Sequence, residues 1–323
     1  MNRIQPIFIL SLPRTGSTLL QRLLSSHAAI STTPEPWLLL PFLHPLASDG
    51  AGAEYSYSTL RLAQQEMFKL LPNGQADYFE AVQKAALHIY GQLSHPDSIY
   101  FLDKTPRYHL ISEQVFQTFP NAKYILLWRN PLAVAASMLE FRPPWNLYDW
   151  YIDLYQGFNN LYAFAIEHQD QILSVRYEDL ILETDKTLGG IFDYLCLEYP
   201  SMKPAPGSIA GISQLGDKKG LEKYSDTIGR ASLDQWISVM HNPIRRSWAC
   251  RYLDFIGSER LLKIGYDLAD LDRSLSSVPI SLKDAHIDAF KLIYGYLHTI
   301  LNMSLIRAKI NKINKGFIVY PYS

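Results

Sequence analysis

Ile7-Phe8-Ile9-Leu10-Ser11-Leu12-Pro13-Arg14-Thr15-Gly16-Ser17-Thr18 opens as an apolar run and ends as a loop rich in hydroxyls. A short unbroken apolar run reads as a strand buried on both faces, the kind found in parallel sheets. After the loop Ser11–Ser17, the segment Thr18–His27 carries Leu19, Leu20, Leu23 and Leu24 at helical spacing. A loop between such a strand and a helix turns backbone N–H groups and the helix's positive end toward an anion. Gly16 permits close approach, and Ser17 and Thr18 add hydroxyls. Arg14 adds a permanent cation whose fork matches phosphate or sulfate oxygens. The loop is not a Walker A loop, because Ser11 stands at the first glycine position and Ser17 where a lysine should follow Gly16. An ordinary strand-to-helix turn is the other reading these residues allow.

Further apolar runs read as strands at Ile99–Leu102, Tyr124–Trp128 and Ile172–Val175. Helical patterns follow them at His109–Phe119, Leu132–Phe141, and Glu178–Leu182 leading into Leu188–Leu195. Strands alternating with helices make this an α/β chain, with a P-loop-like parallel sheet flanked by helices. Helical insertions cover roughly residues 37–94 and 147–168, where they can form acceptor pockets above the strand ends. After a Gly/Pro/Ser-rich connection near residues 200–211 comes a polar loop with Lys218, Lys219, Lys223 and Arg230, and then more helices. The expected division is a main domain over residues 1–273 and a C-terminal helical extension with a basic tail over 274–323. In that extension Phe290, Ile293, Tyr294 and Leu297 form an apolar stripe. Packing against the main domain is the expected role of the stripe. A peripheral membrane or homo-oligomer contact is the alternative.

With 323 residues and 48% of them hydrophobic, the chain can bury a substantial core. Its net charge of −1 gives no global field for nucleic acid, so anion recognition must be local. Cys196 and Cys250 lie far apart in helical patterns and read as two buried thiols in a reducing compartment, not as a disulfide or metal site. Gln5 and Pro6 interrupt the N-terminal apolar stretch, which fits a core strand better than a signal peptide. No window is long and apolar enough to span a bilayer. The expected location is cytoplasmic.

A second anion-binding candidate is Trp128-Arg129-Asn130-Pro131 at another strand end, with Pro131 opening a helix. Ser137 lies about two turns into that helix. Arg129 could instead make a surface ion pair. Glu35 stands between Pro34 and Pro36, which keep it off regular helix, beside Trp37. It is either a base candidate or an acid favoured by a helix N-terminus. Asp103-Lys104 follows a strand and could be a local charge pair. Tyr177 is a core tyrosine or a stacking ring, and Arg230 is either a phosphate contact or solvated. His44 and His109 read as structural histidines.

Taken in order, Pro13–Thr18, Pro34-Glu35-Pro36, Asp103-Lys104-Thr105-Pro106, Arg129-Asn130-Pro131 with Ser137, and Val175-Arg176-Tyr177-Glu178-Asp179-Leu180 resemble sulfotransferases. These enzymes use 3′-phosphoadenosine 5′-phosphosulfate (PAPS) and release adenosine 3′,5′-bisphosphate (PAP). The resemblance is to the branch with tyrosylprotein sulfotransferases and bacterial relatives. It runs from about Ile7 to Leu195, with a weaker echo at Ile228-Gly229-Arg230.

The resemblance implies that Arg14, Thr15, Gly16, Ser17 and Thr18 bind the 5′-phosphosulfate. It implies that Arg129 and Ser137 bind the 3′-phosphate, that Tyr177 packs near the adenine, and that Arg230 closes over the 3′-phosphate. Glu35 would be the base, and Lys104 with Arg14 would stabilise the transferring group, without a metal. The acceptor is left open among small molecules, saccharides, lipids and peptides, with no nucleic acid. A P-loop kinase or NTPase, or a catalytically silent nucleotide-binding scaffold, are the rival readings.

Overall fold

The computed structural model describes residues 4–47, 57–141, 150–199 and 231–301, with single positions 306, 310 and 314 beyond them. Arg230 and the polar loop before it lie outside the described residues, as does most of the basic tail.

Five parallel strands form one sheet in the order β2-β3-β1-β4-β5. They are β1 (Gln5–Leu10), β2 (Ile30–Thr32), β3 (Tyr100–Asp103), β4 (Lys123–Trp128) and β5 (Ile172–Arg176). Their side chains alternate between two cores. Phe8, Leu10, Phe101, Tyr124, Leu126 and Trp128 face one, while Ile7, Ile9, Leu102, Ile125, Leu127 and Val175 face the other. Both faces are therefore covered, which is why the strands read as continuous apolar runs.

The helices are α1 (Ser17–Ser25), α2 (Leu40–Ala47), α3 (Tyr57–Leu70), α4 (Gln75–Leu93), α5 (Ser112–Thr118), α6 (Pro131–Phe141), α7 (Phe158–Glu167), α8 (Tyr177–Leu182) and α9 (Thr184–Tyr194). They continue with α10 (Ala231–Val239), α11 (Pro243–Ile256), α12 (Ser258–Lys263), α13 (Leu268–Ser277) and α14 (Ala285–Ile300). A 3-10 turn, Pro106–Leu110, follows β3, so the pattern read as one helix from His109 is in fact a turn and then α5. A π-helical segment, Ile152–Gly157, leads into α7. Boundary 273/274 falls inside α13.

β1 lies at the centre between β3 and β4. The chain leaves β1 for the β2 side of the sheet and later reaches β4 on the other side. The carboxyl ends of β1, β3 and β4 therefore stand side by side at a topological switch point, where ligands of α/β sheets bind.

Two sequence expectations need correcting. Both cysteines are free and exposed, not buried: Cys196 terminates α9 in left-handed backbone, and Cys250 lies on the outer side of α11. The stripe on α14 does not pack inward either: Phe290, Ile293 and Leu297 are exposed, and only Tyr294 is half-buried. The helix is held instead by buried Asp288, which accepts bonds from Asn242 Nδ2 (2.6 Å) and Arg245 Nε (2.7 Å).

Candidate active site

The loop after β1 is shaped by two left-handed residues, Arg14 (φ 69°) and Gly16 (φ 96°). Thr15 Oγ1 donates to the Leu12 carbonyl at 2.8 Å and tightens the turn. Gly16 then caps α1, its carbonyl accepting from the N–H groups of Leu19 and Leu20. No acid occupies the first turn of α1, so its positive end is not neutralised from within the helix. A side chain at position 16 could not fit: a Cβ would sit 2.4 Å from the Tyr177 ring. Glycine is required there by both backbone and contact.

At the end of β4, Arg129 Nη1 donates to the Arg14 carbonyl at 3.0 Å, and its guanidinium lies 4.4 Å over the Tyr177 ring. Arg14 Nε donates to Ser137 Oγ at 3.2 Å across α6. The Arg129-Asn130-Pro131 turn is held by Glu178, whose carboxylate accepts from Asn130 N (3.0 Å) and the Tyr266 hydroxyl (2.6 Å). Asn130 Oδ1 in turn caps α6 by accepting from Leu132 N. Arg14, Gly16, Arg129, Ser137 and Tyr177 thus form one connected cluster at the ends of β1, β4 and β5. Tyr177 is fully buried within it, beneath Arg129 and against Gly16.

Glu35 and Lys104 form the second cluster. Lys104, 2% exposed, places Nζ 2.5 Å from Glu35 Oε1 and 3.4 Å from Thr18 Oγ1. Thr18 belongs to the first turn of α1, so the two clusters share one loop–helix junction. Trp37 Nε1 donates to the other Glu35 oxygen at 3.4 Å.

The Glu35 loop is tied down at both ends. Gln21 Nε2 donates to the Thr33 carbonyl (2.9 Å), Thr105 Oγ1 accepts from Trp37 N (3.3 Å), and the Tyr108 hydroxyl accepts from Leu39 N (3.1 Å). Thr105 and Tyr108 both donate onward to Asp103, as does Tyr90. Asp103 is fully buried; burial pushes its carboxyl up to about 6, against the opposing effect of these hydrogen bonds and of Lys104. Trp37, like Arg14, holds left-handed backbone, with φ 52°. Such backbone costs about 1–3 kcal/mol and is found where surrounding bonds over-determine it, commonly at functional sites.

Beside Trp37 lies a cleft of about 440 Å³ lined by Leu40, Pro41, His44, Pro45, Arg107 and Leu110. Burial lowers the His44 pKa, favouring its neutral form. His109 is not in the cleft: it is buried, with Nε2 2.7 Å from Asp153 Oδ1. Asp153 also meets Arg107 Nη2 at 3.2 Å and so steadies that side of the cleft.

Sequence reasoning missed Asp103 as a hub, together with Tyr90, Glu178 and Asp153. Asp103 and Glu178 each stood in a quoted motif, beside Lys104 and Tyr177, but nothing in the sequence pointed to their bonds; Tyr90 and Asp153 carried no signal. Away from these residues, Glu113, Glu167 and His168 bring potential metal-ligating atoms within 4.8 Å of one another. None of them belongs to either cluster.

Comparisons with known proteins place the chain in a family. A model of the Sulfotransferase family matches residues 6–201. Nodulation protein NoeE of Sinorhizobium fredii is 27% identical over 300 residues, covering 80% of this chain and 65% of NoeE. The chain therefore spans a little under two thirds of that relative. Protein-tyrosine sulfotransferase 1 of Danio rerio is 22% identical over 273 residues, covering 81% of this chain and 72% of its own. The sulfotransferase domain of the Synechococcus PCC 7002 olefin synthase superposes with a TM-score of 0.50 at 29% identity, covering 74% of this chain and 89% of that domain. With more than half of its sequence matched by the family model and its fold shared with that domain, this chain belongs to the sulfotransferase family.

Proposed function

We propose that this protein transfers a sulfuryl group from PAPS to an acceptor hydroxyl or amine and releases PAP. The observation that carries this reading is the junction at Thr18. There an arginine-bearing cluster suited to phosphate meets a buried lysine paired with a carboxylate.

The proposed roles follow from placement. The loop N–H groups and the unneutralised start of α1 hold the 5′-phosphosulfate, with Arg14 beside it. Arg129 and Ser137 hold the 3′-phosphate, a second dianion that needs its own cation. Tyr177 is a positioning residue: its ring supports the Arg129 guanidinium from below. Arg230 is kept as a further contact to the 3′-phosphate by resemblance alone.

In the transfer step the acceptor oxygen attacks sulfur in line with the bridging oxygen. An O–S bond forms as the S–O bond to the 5′-phosphate breaks, and the electron pair leaves on PAP. Glu35 takes the acceptor proton. Lys104 and Arg14 offset the charge that builds on the leaving phosphate, where fixed charges in a dry site act most strongly. In this reading these two side-chain cations do the work a metal ion does in phosphoryl transfer, and the reaction needs none. The Lys104–Glu35 pair is the resting arrangement. When Lys104 turns to the sulfuryl oxygens, Glu35 is released to accept a proton.

The cleft beside Trp37 is the proposed acceptor entrance. Its lining is mainly apolar, and the exposed Trp37 indole offers a flat face next to the base. This favours a hydroxyl carried on an aromatic or apolar body. The name of the Danio rerio relative, a protein-tyrosine sulfotransferase, is consistent with a phenolic acceptor. Incubation of the purified protein with sulfur-labelled PAPS, EDTA and an extract of the source organism tests the reading. Labelled product that requires the protein supports it; labelled product that appears only with added Mg²⁺ overturns the metal-free mechanism.

A further inference from the structure

We propose that the outward face of α14 is a docking surface for an anionic lipid bilayer, on which the helix lies flat. The helix has two opposed faces. Asp288, Leu292 and Gly295, at helical spacing, face the body of the protein. Asp288 is completely buried and clamped by Asn242 and Arg245. On the opposite side, Phe290 (65% exposed), Ile293 (63%), Leu297 (49%) and Leu301 (56%) recur at intervals that keep them in line. The polar clamp fixes the helix in place, so the apolar stripe is left for something else to cover. A contiguous exposed stripe of large apolar side chains marks an interaction surface.

Charge identifies the occupant. After Asp288 the sequence holds no Asp or Glu, whereas Lys291, Arg307, Lys309, Lys312 and Lys315 all follow. The chain as a whole is near neutral at −1, so this positive segment is a local feature. An apolar helix face continuing into an acid-free basic segment matches acyl chains beneath anionic headgroups. A second copy of the same helix would offer these cations no acidic counterpart. No helix among the described residues is long and apolar enough to cross a membrane, so the contact lies on the surface.

Flotation of the full-length protein with vesicles tests this without reference to catalysis. Binding should be about tenfold greater to phosphatidylserine-containing vesicles than to phosphatidylcholine alone, and should weaken with added salt. The double substitution Phe290→Glu with Leu297→Glu alters only exposed positions; it should abolish binding while leaving thermal stability and PAP affinity unchanged. Lys309→Glu with Lys312→Glu should remove the preference for phosphatidylserine. Equal binding to both vesicle types, absence of binding, or binding that survives the double substitution overturns the proposal. A dimer in sedimentation velocity that dissolves on Phe290→Glu and Leu297→Glu would assign the face to a second copy and overturn it as well.

Discussion

Lys104 Nζ lies 2.5 Å from Glu35 Oε1, and the lysine is almost wholly buried while the glutamate keeps contact with solvent at 21% exposure. A buried ammonium needs its partner, whereas a half-open carboxylate can be approached by another molecule. The pair is therefore asymmetric: the carboxylate can be reached from solvent, while the ammonium lies buried beside Thr18 at the start of α1.

Replacement of Glu35 by Gln keeps an oxygen for Lys104 but removes the proposed base. Turnover on the acceptor recovered by labelling should fall by about 10² or more. The loss should appear in kcat as well as kcat/KM, and PAP affinity in calorimetry should not fall. Retention of most activity would move the base role to another group lining the cleft, with His44 as the first candidate.

Gly16→Ala tests the tightness of the loop after β1, the proposed donor site. The added methyl meets Tyr177 at 2.4 Å, and position 16 has φ 96°. Left-handed strain and overpacking together should cost about 2 kcal/mol or more in chemical denaturation. PAP affinity should fall too, since the displaced Tyr177 ring supports Arg129. A stable variant with unchanged affinity would contradict the contact.

Much of this arrangement was legible in the sequence. Strands β1, β3 and β4 are buried on both faces and read as apolar runs, and Ile172, Leu173 and Val175 mark the half-buried edge strand β5. The three-residue β2, Ile30-Ser31-Thr32, is too short and polar to stand out. The donor loop, Arg129 and Lys104 each sit directly after a strand, where a local pattern marks them. The support beneath Glu35 was not legible, because Asp103 gathers bonds from Tyr90 on α4 and from Thr105 and Tyr108 in the turn after β3. No local pattern ties Tyr90 to Asp103. The stripe on α14 carried the opposite lesson: its spacing identified a helix face but not the side on which the body lies. The buried clamp at Asp288 decides that.

Asp103 gives a pH signature with an unusual sign. Burial raises its carboxyl from 3.8 to about 6, so the folded protein holds that proton more tightly than the unfolded chain does. Its contribution to stability is most favourable below about pH 4 and is lost as pH rises through about 6. The stability difference between wild type and Asp103→Asn should therefore shift against wild type by about 2 kcal/mol between pH 4.5 and 7. Urea denaturation at the two pH values measures it. A difference independent of pH would contradict the buried, proton-retaining carboxyl.

Trp37 combines a stacking face with an N–H to Glu35, and two substitutions separate these roles. Trp37→Ala should raise acceptor KM by about tenfold and also lower kcat, leaving PAP affinity intact. Trp37→Phe should restore KM but not kcat, because a phenyl ring stacks but cannot hold the Glu35 oxygen. Recovery of both by phenylalanine would remove the N–H from the mechanism.

The most direct measurement is calorimetric titration of the protein with PAP in the presence of EDTA, compared with adenosine 5′-phosphate and repeated for Arg129→Ala. Wild type should bind PAP with micromolar affinity and without a divalent ion. Arg129→Ala should weaken PAP by about tenfold or more while changing adenosine 5′-phosphate little, because only PAP carries the 3′-phosphate. Binding of PAP that appears only with Mg²⁺, or an equal loss for both ligands, would contradict a metal-free donor site built on Arg129.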